Sequence, residues 1–188
     1  MPDKDDKIKS ALDIALERAQ RLGAPSEDEK RRLKEEELAA AGEALVKRYL
    51  SGLPLRDIDA ELARHAEDER ETVKRHLLSN LLDRIDVRRG AADEKVLTAI
   101  EHLTGDAGTV QAIGKLMKEY NGALEKAQLE KQGALREAKL NELKLKGISG
   151  SAVEPAVESS AEWLETQRSL ESQYRERLDE LKRKCRNQ

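Results

Sequence analysis

Apolar residues recur along this chain at intervals of three and four, with charged residues between them, and that period marks one face of an α-helix. Ile8, Leu12, Ala15, Ala19 and Leu22 predict a helix from about Lys4 to Leu22, stopped by Gly23 and Pro25. Ser26 followed by Glu29 has the form of a capping box. It opens a helix to about Leu50 that buries Leu38, Leu45, Val46, Tyr49 and Leu50. The first half of that helix, Glu27 to Glu37, is nearly all charged and is expected to project into solvent. Ser51, Gly52 and Pro54 make the next break. Helices then cover roughly Leu55 to Arg88, first with Ile58 and Leu62 inward, then with the richest apolar stripe of the chain, Val73, Leu77, Leu78, Leu81, Leu82 and Ile85. Gly90 ends this stretch. A short helix from about Ala92 to Leu103 buries Val96, Ile100 and Leu103 and ends at Gly105.

Beyond residue 105 the pattern lengthens. From Thr109 to Lys146 there is one helical stretch in which Val110, Ile113, Met117, Tyr120, Leu124 and Ala127 alternate strictly by three and four, as in a coiled-coil seam. The seam weakens from Gln128 to Gly133 and resumes as Leu135, Ala138 and Leu145. Residues 147–155, GISGSAVEP, form the one Gly/Ser-rich stretch and predict a loop. A last helix from about Ala156 to Lys184 carries Leu164, Tyr174, Leu178, Leu181 and Cys185. The fold expected is all-α: a bundle of four to five helices over residues 1–105, then a long antiparallel, coiled-coil-like helical hairpin over 106–188.

Composition supports helix and argues for a thin core. The chain has no Phe, one Trp and three Tyr in 188 residues, while 39% of its residues are charged. Its 35 basic and 38 acidic residues are interspersed, giving a net charge of −3. A generic nucleic-acid or membrane binder needs a field of one sign, so neither partner is expected. Cys185 is the one cysteine, which excludes an internal disulfide and a thiolate-built zinc site. No apolar run has the length of a membrane span, and no signal peptide is visible. A cytoplasmic location is the resulting expectation.

Candidate chemistry is sparse. Glu61, His65, Glu69 and His76 would share a face if their segment were one helix, but no metal-binding motif frames them, and no metal or other cofactor is expected. Residues 108–115, GTVQAIGK, suggest a phosphate loop, yet the spacing is one residue too long and Leu116 stands where a magnesium-binding hydroxyl belongs. Gly114 is better explained by the close approach of another helix. The segment from Leu53 to Leu78 has helix-turn-helix wording, but Ile58 and Val73 are 15 residues apart, about one turn too many. The acidic AEDERE replaces the tight turn, as one continuous helix would; a bend near Ala66 to Glu69 is the alternative, with no Gly or Pro to mark it. Lys182, Arg183, Lys184 and Arg186 suit a helix C-terminus as well as they suit an anion. No nucleophile, base or carboxylate pair stands out, so no catalytic residue is assigned.

The opening KIKSALDIALERAQRLG resembles the start of a bacterial family of helical proteins of unknown function, over about the first fifty residues. Its motifs are amphipathic helices alone, so the resemblance implies no residue roles. The function expected is that of a non-catalytic structural or adaptor protein binding another protein, or a second copy of itself as a homodimer, through helical surfaces. The competing class is a nucleic-acid-binding regulator using residues 53–89 or the basic tail. Leu116, Leu129, Leu140 and Leu143 fall outside the two-helix seam and are the candidate contact residues, with Trp163 and Tyr174 as aromatic anchors. With no metal site expected, micromolar zinc, manganese or iron should leave the melting temperature unchanged. A rise of several degrees that His65→Ala removes would contradict this.

Overall fold

The computed structural model describes residues 26–148 and 161–187, and the helix expected over Lys4 to Leu22 lies outside them. Among the described residues there are six α-helices and no strand: α1 (Glu27–Leu50), α2 (Arg56–Leu62), α3 (Glu67–Asp83), α4 (Glu94–Thr104), α5 (Ala107–Leu145) and α6 (Ala161–Arg186). The chain is all-α. None of these helices is long and apolar enough to cross a membrane.

Helix α1 starts at the predicted capping box. The Glu29 amide donates to Ser26 Oγ at 3.1 Å, and the Ser26 amide donates to Glu29 Oε2 at 2.8 Å. Its charged first half is exposed, as its composition predicts. That half is also tied to α3: Lys34 reaches Glu69 at 2.8 Å, while Glu35 meets both Arg75 and His76 at 2.9 Å. The second half buries Leu38, Leu45, Val46 and Tyr49 together with Gly42. At Gly42 the backbones of α1 and α3 come so close that a methyl group would stand 2.8 Å from His76 Cβ and 2.9 Å from the Leu77 amide nitrogen. Only hydrogen fits there.

The segment from Leu55 to Arg88 departs from a continuous helix. Residues 63–66 form a turn, and α3 restarts after Ala66, whose ψ of 152° is extended. Neither glycine nor proline makes this break. Glu67, Asp68 and Glu69 favour a helix start there because they face its positive end. Helix α3 also stops earlier than expected, at Asp83. Asp86 then caps a 3₁₀ turn, Val87–Arg89, by accepting from the Arg88 amide at 2.9 Å. This turn keeps Ile85 and Val87 in the core, which an unbroken helix would not do for both.

One apolar core joins all six helices and runs across the boundary expected near residue 105. It is aliphatic, with Ile58, Leu77, Leu81, Leu82, Ile100, Ile113 and Leu178 fully covered and Tyr49 and Tyr120 at its edges. Each fully buried aliphatic side chain of this size stabilises by about 1.5–3 kcal/mol. Tyr49 also donates its hydroxyl to the Lys95 carbonyl at 2.9 Å, fastening the end of α1 to α4. At the other end of the chain, Lys182 Nζ donates to the Ile85 carbonyl at 2.6 Å and Arg186 meets Asp83 at 2.8 Å. These contacts seat the last turns of α6 on the base and cover Cys185.

Gly42→Ala should destabilise the protein by about 1–3 kcal/mol, because helix backbone rather than a movable side chain blocks the added methyl. Chemical unfolding monitored by circular dichroism measures this; an unchanged midpoint would show that the two helices can separate freely.

Candidate interaction surface

Helix α5 organises the surface. Asp106 caps it by accepting from the Thr109 amide at 2.9 Å, and it continues without a break for 39 residues. The residues suggestive of a phosphate loop lie in its first turns, and Gly114 there receives Leu97 Cδ1 of α4 at ordinary contact distance from where a Cβ would stand. The far end is a Schellman ending: the Gly147 amide donates to the Lys144 carbonyl at 3.0 Å and the Ile148 amide to the Leu143 carbonyl at 2.9 Å. Gly147 takes φ +76°, a conformation that suits glycine.

One face of α5 serves the fold. Val110, Ile113, Leu116, Met117 and Tyr120 are buried, and Leu124 packs partly on the same core. Tyr174 of α6 meets Tyr120 edge-on with ring centroids 5.5 Å apart, and Arg177 lies 5.1 Å from the Tyr174 ring while bonding Glu119 at 3.0 Å. Farther along, Lys131 Nζ donates to Thr166 Oγ1 at 2.6 Å. The paired positions rise along α5 as they fall along α6. Arg88 adds a contact from the base to Glu171 of α6 at 3.3 Å.

The structure separates the leucines that the sequence placed together. Leu116 is 2% exposed and belongs to the core, because the first turns of α5 lie against α4 as well as α6. A two-helix seam leaves no place for it; a third helix does. Leu129 is 78% exposed, and Leu140 and Leu143 are half-buried outside the core. Trp163 is half-buried near the start of α6, and Tyr174 is a packing residue against Tyr120. The expected resumption of the inner seam is not seen: Leu145 is 90% exposed and Ala138 is exposed, while the side chain of Leu135 lies outside the described residues. Leu164 of α6 is also exposed, and Leu170, which the sequence reading passed over, packs on the core instead.

At about 100° per residue, Leu129 lies about 180° around α5 from Tyr120. Gly122, Gly133, Leu140 and Leu143 fall within about 40° of Leu129. Helix α5 therefore has a second face, directed away from α6. A Cβ added at Gly122 or Gly133 would meet no atom of the described residues within 4 Å. A glycine inside a helix costs about 1 kcal/mol relative to alanine, and nothing within the described chain accounts for these two.

The other candidate features are taken up by ion pairs. Glu61 is held by Arg48 at 2.6 Å, Glu69 by Lys34 and His76 by Glu35, while His65 sits in the turn between α2 and α3. The shared helical face expected for these four is thus broken. Among the described residues, no three His, Cys, Asp or Glu side chains are grouped to hold a metal. A hydrogen bond from His76 with the charge of Arg75 lowers the Glu35 pKa, a hydrogen bond from Lys34 lowers that of Glu69, and one from Arg48 that of Glu61. Burial lowers the Lys182 pKa and raises that of Cys185. Two open clefts are present. One, of about 480 Å³, runs between α5 and α6 beside Lys131, Glu165 and Thr166; the other, of about 340 Å³, lies among Asp59, Arg70, Lys74 and His102.

The lowered carboxylate pKa values set a sign for the effect of acid. Their folded-state pKa values lie below the unfolded ones, so these pairs stabilise the fold above the ordinary carboxylate range and lose that effect as pH falls through the folded values. Glu35→Gln with Glu69→Gln should therefore lower the melting temperature slightly at pH 7 and flatten its decline below pH ~4.5. Equal slopes in variant and wild type would show that the pairs do not form in solution.

No curated protein and no solved structure matches the chain. A family match is found, and it lies not in the first fifty residues, where the amphipathic opening suggested a resemblance, but from the middle of α2 to the end of α6. Since that match takes in residues 59–187, the chain belongs to the family of unknown function DUF6657.

Proposed function

We propose that this chain is a non-catalytic structural or adaptor protein that binds a protein partner through the outer face of α5. The observation that carries this reading is the stripe of Leu129, Leu140 and Leu143 outside the core, on the side of α5 turned away from α6. An apolar face that the described residues leave at least partly open is characteristic of a contact surface. The long helix supports the same reading, because α4 and α6 hold its base and α6 follows one side of it outward to Lys131. The two clefts are open, and no charged side chain is buried within either, which favours a binding surface over an enclosed reaction site.

A nucleic-acid-binding regulator is the second reading. Helix α3 would be its recognition helix, since a turn does separate it from α2. Against it, α3 commits Val73, Leu77, Leu78, Leu81 and Leu82 to the core and presents Glu67, Asp68 and Glu69 at its leading end, where phosphate would be repelled. In the basic tail, Lys182 and Arg186 are engaged with Ile85 and Asp83.

A photo-crosslinking amino acid placed at position 129 in the source cell tests both. Protein adducts at 129, absent when the same group is placed at the exposed Arg56, are the expected result. Adducts to nucleic acid, or none at all, would overturn the adaptor reading. In parallel, Lys74→Glu with Arg75→Glu should leave any association with duplex DNA unchanged at moderate salt.

A further inference from the structure

The outer face of α5 carries a heptad of its own. Gly122, Leu129, Arg136 and Leu143 recur every seven residues, and Lys126, Gly133, Leu140 and Gly147 stand four residues after each. That is the spacing of a coiled-coil seam, on the side of the helix away from the seam shared with α6. Its leucines lie outside the core, and its glycines at 122 and 133 have open space where a side chain would be. Glycines in such a seam let a second helix come close.

The charges beside this seam show which helix would fit. Glu125 and Glu130 flank its first half, and Lys144 and Lys146 flank the end of its second. Two copies laid parallel would set glutamate beside glutamate and lysine beside lysine, with Arg136 against Arg136 in the seam. Laid antiparallel, Glu125 of each copy comes beside Lys144 and Lys146 of the other, although Glu137 also flanks the second half. When Gly122 of one copy is aligned with Gly147 of the other, Leu129 meets Leu140 twice by symmetry. The stem of Arg136 then crosses the space left by Gly133. This register sets leucine on leucine and Arg136 over Gly133, with the stem of Lys126 lying across Leu143. Several of these charges also have neighbours within their own helix, such as Lys126 with Glu130 at 3.9 Å, so their effect is to set orientation more than strength.

We propose that the partner of this surface is a second copy of the chain, with the two α5 helices antiparallel across the stripe from Gly122 to Gly147. This deepens the adaptor reading and rests on it. Gly122 to Leu145 span about 35 Å of helix. A two-fold axis perpendicular to the helices would pass between Gly133 and Arg136, giving the closed, self-complementary contact typical of a homodimer.

Sedimentation of the full chain across a hundredfold dilution series at micromolar concentration tests the proposal. A species of twice the 21.1 kDa chain mass is expected, which Leu129→Glu with Leu140→Glu weakens at least tenfold. Leu129 is exposed, and Leu140 lies outside the core, so circular dichroism should show the variant still helical. Orientation is read from disulfides: a mixture of Leu129→Cys and Leu140→Cys chains should crosslink one to the other. A wild-type chain that stays monomeric throughout overturns the proposal, and so does a dimer unmoved by the double variant. Leu129→Cys chains that crosslink only among themselves overturn the antiparallel arrangement. Protein adducts at position 129 from the source cell, together with a monomeric chain in sedimentation, would leave the adaptor reading standing and remove the second copy.

Discussion

Two helix backbones meet at Gly42 with no room for a methyl group between them, and the arrangement of the base depends on that closeness. Helix α1 is a weakly apolar helix whose first half carries hardly any hydrophobic residue, so it cannot hold its place by burial along its whole length. It is held by a tight crossing in its second half, by Tyr49 reaching the Lys95 carbonyl beyond the crossing, and by ion pairs to α3 before it. The order of these effects follows from their size. Buried aliphatic side chains and close backbone packing dominate, whereas exposed ion pairs contribute little and are screened by salt. Helix α1 lies outside the family match, yet it covers the face of α3 that carries much of the core.

Helix α5 answers to two demands at once. Toward the base it is a core element packed against α4 and α6; farther out it has α6 on one side and, among the described residues, a stripe of exposed and half-buried leucines on the other. A long charged helix is stable in this role because it is capped at both ends, by Asp106 and by the turn at Gly147, and because pairs such as Lys115 with Glu119 link its successive turns. Most of its neighbours are close in sequence or reached through one reversal. The contacts that join base to arm, by contrast, lie about a hundred residues apart along the chain.

Much of the fold was legible in the sequence. The capping box at Ser26, the end of α4 at Gly105, the run of α5 to its last turn and the aliphatic stripe of α3 all follow from local rules with local causes. The break between α2 and α3 was only partly legible: a bend near Ala66 to Glu69 was open, but Ala63, Arg64, His65 and Ala66 include no residue that stops a helix. Leu116 was misplaced for a related reason. Periodicity reveals how many faces a helix has but not how many neighbours share them, and here α4 takes up a position that a two-helix seam leaves outside. Gly42 had a faint signal in the small-residue run AAAGEA, since small residues on a buried stripe permit close crossings. Of the surface, the leucines were visible from their spacing. Their true grouping, with Gly122 and Gly133 added and Leu116 removed, needed the position of α6.

The seating of the last turns of α6 on the base has a consequence for the order of assembly. Lys182 bonds the carbonyl of Ile85, Arg186 meets Asp83, and Leu178 and Cys185 complete the core that α3 begins. During synthesis, Leu81, Leu82 and Ile85 leave the ribosome some hundred residues before the side chains that finish covering them. At about 5–20 residues per second that interval lasts on the order of 5–20 s, far longer than the time a helix needs to form. The nascent base is then a set of formed helices with an open apolar side. Closure waits for α6 to emerge, and chaperones that recognise exposed leucines have that window in which to bind the chain.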